Sequence, residues 1–203
     1  MKPWFAVPLI LAAAASTAHA EPRNVGSFHA IEITGTIQVE ATIAPTAHVE
    51  VLGEADRLHQ VKTEVKNGSL VIATVGDVKG ARLRVVVSAP ALDALAISGA
   101  ATLSAAGLTG DRLAVRIGGT GEITLGGKVG TLALEINGAG AVHAKGLATT
   151  DAAIAIGGTG EVSANVTRSL VASITGTGAI KVHGKPTSIK KAITGVGVIK
   201  TVE

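Results

Sequence analysis

The chain has 203 residues, with no cysteine, no tyrosine, one tryptophan and two phenylalanines, and a formal charge of +3 at pH 7. Without cysteine there is no disulfide framework, and with so few rings there is no aromatic platform on which sugars or unpaired bases could stack. No basic run is interleaved with aromatics, so nucleic acid is not an expected partner.

The first twenty residues read as a secretory signal. Lys2 gives the positive end, Trp4 to Ala15 the short apolar core, and Ala18-His19-Ala20 a small-residue cleavage site before Glu21. The apolar run is too short to span a bilayer, and no later stretch is long enough. The expectation is export to the periplasm or cell surface, with no membrane span once the signal is removed. No cysteine follows the leader to carry a lipid. Residues 21–27 read as a linker.

From residue 28 to 90 the pattern is strand-like but irregular. Phe28 to Val39 opens it, and Ile33-Thr34-Gly35-Thr36 is a degenerate copy of a phrase that recurs later. Val49 and Val51 mark another strand, and Glu54 to Gln60 a helical turn or an irregular crossing. Val61–Val65 and Leu70–Val75 flank Asn67-Gly68, a pair that favours the two-residue hairpin turn. Leu83–Val87 is a strand that Pro90 ends. This part is expected to form wider coils or a cap.

From residue 91 to 203 one phrase recurs six times, centred on Gly99, Gly119, Gly138, Gly158, Gly176 and Gly195, a period of roughly 19 residues. Apolar and polar positions alternate on both sides of each glycine, as in strands with one buried face. Two residues before each centre stands an isoleucine, Ile97, Ile117, Ile136, Ile156, Ile174 and Ile193. Four residues after it stand Leu103, Ile123, Val142, Val162, Ile180 and Ile199. A one-residue slip would turn all of these outward, so the constant spacing implies one common core. The turn glycines are expected to supply positive φ and a tight reversal. Second turns recur at Gly107, Gly126-Gly127, Gly146, Asn165 and Gly184. Such units bury their apolar faces only when stacked. The expected fold is an all-β solenoid, a right-handed parallel β-helix rising about 4.8 Å per coil. An antiparallel β-sandwich is the alternative, since evenly spaced strands with glycine turns also fit it.

Several of these stretches resemble a known family. Phe28 and Ile31, Asn67-Gly68-Ser69-Leu70-Val71-Ile72, the Pro90-x-Leu92 step and the reiterated glycine phrase, above all Glu135-Ile136-Asn137-Gly138-Ala139-Gly140, are similar to the auto-transporter adhesin head domain called the GIN domain. The resemblance covers nearly all of residues 28–203 and implies an exported bacterial protein of β-helical character with a role in adhesion or at the cell surface. It brings no catalytic residues. An autotransporter also carries a membrane barrel, which is not expected within these residues.

The chemistry-bearing residues are sparse. The phrase Gly118-Gly119-Thr120-Gly121-Glu122 lacks the aspartate per short period that a calcium-binding repeat needs. A strand follows these glycines, whereas a dinucleotide loop needs a helix there. Glu122 and Glu161 fall two coils apart in one row, roughly 9.6 Å, near the upper separation for an inverting glycosidase. No aromatic or basic group flanks them, and His143 reads as a lone exposed histidine. Arg116 and Glu135 are expected to pair on adjacent coils. His48 and His59 do not suggest a metal site. No catalytic, cofactor-binding or metal-ligating residue is assigned. The expected function is a non-enzymatic envelope binding or adhesion module that presents a flat face of small residues to an envelope polysaccharide or another envelope protein. The alternatives are a carbohydrate-active enzyme using Glu122 and Glu161, and a structural protein forming homo-oligomers through the last coil, where Lys190, Lys191 and Lys200 cluster.

Overall fold

The computed structural model describes residues 19–78, 80 and 82–202. Residues 1–18, which hold most of the expected signal sequence, lie outside the described residues.

Fifteen strands and a single 3-10 turn, Leu58–Gln60, make up the described chain. The strands are β1 (His19–Arg23), β2 (Ala30–Ile33), β3 (Thr36–Ile43), β4 (His48–Gly53), β5 (Val61–Lys66), β6 (Ser69–Thr74), β7 (Arg84–Ala89), β8 (Ala94–Ile97), β9 (Ala100–Ile117), β10 (Thr120–Ile136), β11 (Ala139–Ile156), β12 (Thr159–Ile174), β13 (Thr177–His183), β14 (Ser188–Ile193) and β15 (Val196–Thr201). Each of β9 to β12 is long enough to bend once and serve both walls of a flattened coil. Its first arm pairs with the first arm of the next coil, and its second arm with the second. All these pairings are parallel, as are β12–β13, β12–β14 and β13–β15. The chain is therefore a β-solenoid of about five turns, and the antiparallel sandwich is set aside.

Two apolar ladders fill the space between the walls. Ile72, Ile33, Ile97, Ile117, Ile136, Ile156, Ile174 and Ile193 stack in register on one side. Val85, Val39, Leu103, Ile123, Val142, Val162, Ile180 and Ile199 stack on the other. All but the last member of each are essentially inaccessible to water. The ladders form because β-branched residues fit a pleated, half-buried surface and the coil spacing brings like side chains into contact. Thr149 is the one buried polar side chain among the described residues, and its hydroxyl donates to the Asn165 carbonyl at 2.6 Å.

The repeated turn has a different cause from the one expected of its glycines. None of Gly99, Gly119, Gly138, Gly158, Gly176 or Gly195 has positive φ. A Cβ on Gly119 would instead press into the Gly99 carbonyl, and one on Gly138 into the Gly119 carbonyl. Backbone hydrogen bonds run straight through the corner from coil to coil, with Gly118 N–H donating to Ile97 O at 2.8 Å and Thr120 N–H to Gly99 O at 2.9 Å. The coils approach too closely there for any side chain. The glycine two residues later has its own reason: the Cδ1 and Cγ2 of Ile136 lie 3.0 and 3.3 Å from where a Cβ on Gly160 would sit. Positive φ belongs to the second corner, at Gly107, Gly127 and Gly184, where the ladder also slips register.

The N-terminal part departs from chain order. β2 and β3 form a coil that packs on β8 and the first arm of β9. On its other side lie β6 and β7, which come later in sequence. Beyond them β4 and β5 run antiparallel to β7 and β6, and β1 runs antiparallel to β4. This reversed layer closes the stack, since antiparallel pairing stops the parallel lattice from propagating. Glu21–Arg23, read from the sequence as linker, belong to β1, with His19 and Ala20 in the same strand. The Asn67-Gly68 hairpin forms as expected, with both residues at positive φ, and Leu58–Gln60 supplies the helical turn.

Candidate functional site

The outer surface of the first wall is built from three rows. Directly after the glycine corner come Thr36, Ala100, Thr120, Ala139, Thr159 and Thr177 in register. The next outward row runs Gln38, Thr102, Glu122, Ala141, Glu161 and Ala179. The third runs Glu40, Ser104, Thr124, His143, Ser163 and Lys181. Small side chains dominate, so the wall is flat.

At its N-terminal end the wall becomes the floor of an open cleft of about 1230 Å³. Thr36, Gln38, Ala100, Thr102, Thr120 and Gly140 lie on the floor, which Arg84 and Leu52 continue across the same sheet, and Val78, Arg82 and Leu83 lie beside it. The side comes from the loop between β6 and β7. Sequence reasoning missed this cleft. Its floor is the flat face that the repeats announce, but its side comes from non-repeating segments that reach it only through the out-of-order packing of β6 and β7.

Charged groups on the wall are tied along one diagonal. Arg84 donates to Glu40 at 2.9 Å, His143 Nε2 lies 3.0 Å from Glu122 Oε1, and Lys181 donates to Glu161. In each pair the residue on the coil nearer the C-terminal end of the stack, Glu40, His143 or Lys181, stands two positions further along than the residue aligned with its partner. His143 is thus not solitary, as the sequence suggested; the diagonal offset hides its partner from a row-by-row reading. Glu122 and Glu161 do stand two coils apart, each aligned with Ala141. Each carboxylate has its own cationic or protonatable neighbour, however. The hydrogen bond from Lys181 and its charge hold the Glu161 carboxyl below the usual carboxylate range. A glycosidase acid needs the opposite, a carboxyl held protonated near neutral pH.

The second wall carries the expected Arg116–Glu135 pair, at 3.5 Å, beside a shallow hollow floored by Ala114, Ala133 and Ala153. Asn137 Nδ2 also donates to Glu135 at 2.8 Å. At the second corner Arg168 grips Asp151 with both Nε and Nη2, which lowers the Asp151 carboxyl and raises the guanidinium. His48 and His59 lie on β4 and in the 3-10 turn. Among the described residues no three His, Asp or Glu side chains gather as a metal site, and no helix is long and apolar enough to cross a membrane.

Solved structures share the fold. A putative adhesin from Bacteroides fragilis NCTC 9343 superposes with a TM-score of 0.73 at 20% identity, covering 93% of this chain and 98% of its own. A putative adhesin from Parabacteroides distasonis ATCC 8503 gives a TM-score of 0.57 at 20% identity, over 93% of this chain and 98% of that one. A putative lipid binding protein from the same strain gives 0.55 at 20% identity, over 92% and 97%. No curated protein is similar enough in sequence to count as a relative. Residues 27–186 match the family model described as "Putative auto-transporter adhesin, head GIN domain", and the chain belongs to that family.

Proposed function

We propose that this chain is an exported, non-enzymatic binding module of the cell envelope, acting in adhesion by holding envelope polysaccharide along its first wall. The observation that carries the reading is the walled cleft over a flat floor of small side chains. A polymer lying there crosses successive coils at about 4.8 Å intervals, and meets hydroxyls at Thr36, Thr102 and Thr120 together with the Arg82 and Arg84 side chains. The apolar segment after Lys2 and the Ala18-His19-Ala20 step support export. The family's adhesin description and the putative adhesins among the neighbours support the adhesive role. Glu161, held ionised by Lys181, argues for binding without turnover.

The test is binding of isolated envelope polysaccharide, measured by calorimetry with the wild type and with a Thr102→Arg/Thr120→Arg variant. Both threonines are exposed on the floor, so the fold tolerates the change while the cleft fills. Binding by the wild type and its loss in the variant is expected. Equal binding by both proteins refutes the site. New reducing ends in the wild-type sample, absent with a Glu122→Gln/Glu161→Gln variant, would make the protein an enzyme. Fractionation and N-terminal sequencing test export, with Glu21 expected as the mature N-terminus.

A further inference from the structure

The last turn of the solenoid is chemically unlike the rest. Of the six large apolar side chains exposed among the described residues, four lie in it: Ile189, Ile193, Val196 and Val198. Ile193 is 46% exposed, whereas the Ile174 beneath it in the same ladder is 1% exposed. Between residues 184 and 202 there are four lysines, Lys185, Lys190, Lys191 and Lys200, and no acidic residue. Within the described residues no strand pairs with the far side of β14 or β15.

One of these lysines faces the core. Ile189, Lys191 and Ile193 continue the inward rows of Leu170, Ala172 and Ile174, all three of which are buried. The Lys191 stem lies over the small Ala172, and its ammonium donates to the Ile199 carbonyl across the coil at 3.0 Å. An inward charge at a sheet edge opposes any strand that would add there without answering it. The edge is therefore selective: it offers unpaired backbone groups and two apolar seats with a cation between them.

We propose that β14 accepts an extended polypeptide segment of a partner protein whose inward face reads apolar, acidic, apolar at alternate positions. The two apolar side chains cover Ile189 and Ile193, the carboxylate meets Lys191, and the backbone groups extend the second wall by one strand, as in other cases of strand addition. Charge complementarity selects this occupant. A second copy joined end to end would set Lys190 and Lys191 against their own counterparts, and like charges directly opposed across strands are destabilising. A copy joined head to tail would bring up β5, whose inward row of Val61, Thr63 and Val65 offers Lys191 no carboxylate, its Glu64 standing between Lys62 and Lys66 on the outward row. A bilayer would leave the edge's N–H and C=O groups without partners wherever hydrocarbon touched them. This site stands at the opposite end from the cleft and does not depend on it.

The test uses the full chain and a fluorescein-labelled peptide, Thr-Ile-Thr-Glu-Thr-Ile-Thr, read by anisotropy. Its palindromic order suits either strand direction. A control peptide has Lys in place of Glu. The wild type is expected to prefer the Glu peptide by about tenfold or more, and Lys191→Glu to reverse the preference. Lys191→Gln, which adds no charge of its own, is expected to abolish the preference without reversing it. Circular dichroism and thermal melting confirm that the variants fold. No binding of either peptide, or equal binding of both, overturns the proposal. So does binding of phosphatidylglycerol vesicles that the Glu peptide does not displace, which would assign the end to a lipid surface. A concentration-dependent dimer in sedimentation equilibrium that the peptide does not dissociate would assign it to a second copy.

Discussion

Truncating one rung of the isoleucine ladder measures how much the stack depends on it. Ile136 is fully buried, with Ile117 and Ile156 directly on either side. Replacing it with alanine removes three carbons, a transfer loss of about 2.4 kcal/mol at roughly 0.8 kcal/mol each. The space left cannot close easily, because both neighbouring coils are held by backbone hydrogen bonds along their length. The cavity term should lift the total to about 4 kcal/mol, within the range for such substitutions. For a chain of this size that is a fall of roughly 8–16 °C in Tm. Urea unfolding followed by circular dichroism gives the value, with Ile193→Ala as the internal comparison. Ile193 belongs to the same ladder but is nearly half exposed, so its truncation should cost about 1 kcal/mol or less. If the two substitutions cost the same, the ladder is not the source of stability and the account of the core fails. An unchanged m-value is also expected; a reduced one would mean that the coils beyond Ile136 fray separately.

The turn glycines give a sharp contrast. Gly138→Ala drives a methyl group into the Gly119 carbonyl, whereas a methyl on Gly126 meets nothing within 4 Å. The first should cost about 1–3 kcal/mol and the second less than about 0.5 kcal/mol, both by denaturant titration. On the outer wall, pairing with Lys181 depresses the Glu161 carboxyl. Its contribution is therefore present above the ordinary glutamate range and is lost as pH falls through the depressed value. Glu161→Gln should accordingly lower Tm slightly at pH 7 and leave it unchanged at strongly acidic pH; a difference that persists in acid would remove the ion pair as its cause.

Much of the regular part was legible in the sequence because a solenoid writes its lattice into the spacing. Isoleucines two residues before each central glycine could only share a face, and they do. The cause of those glycines was not legible. Positive φ and close approach both select glycine, and only the distance to the neighbouring carbonyl separates them. The Asn67-Gly68 turn was readable because its requirement is local. The placement of β6 and β7 outside β2 and β3 was not, since it rests on pairings between segments about forty residues apart with no repeat to signal them. The same limit hid the cleft. The Glu122–His143 contact escaped because it runs diagonally between coils, while the sequence was aligned in straight rows.

The out-of-order packing of the N-terminal coils bears on how the chain comes together. β2 and β3 come early in the chain, yet they are wedged between β6–β7 on one side and β8–β9 on the other. Their sides stay unsatisfied until roughly sixty further residues are in place, since Ala30 pairs with Ala94 and Thr36 with Ala100, and loops of that length close slowly. The windings after β9 need only the preceding one as a template. Assembly is thus slow to start and quick to continue. A unit duplicated or lost among the later windings would alter the length of the finished rod without disturbing the step that sets its pace.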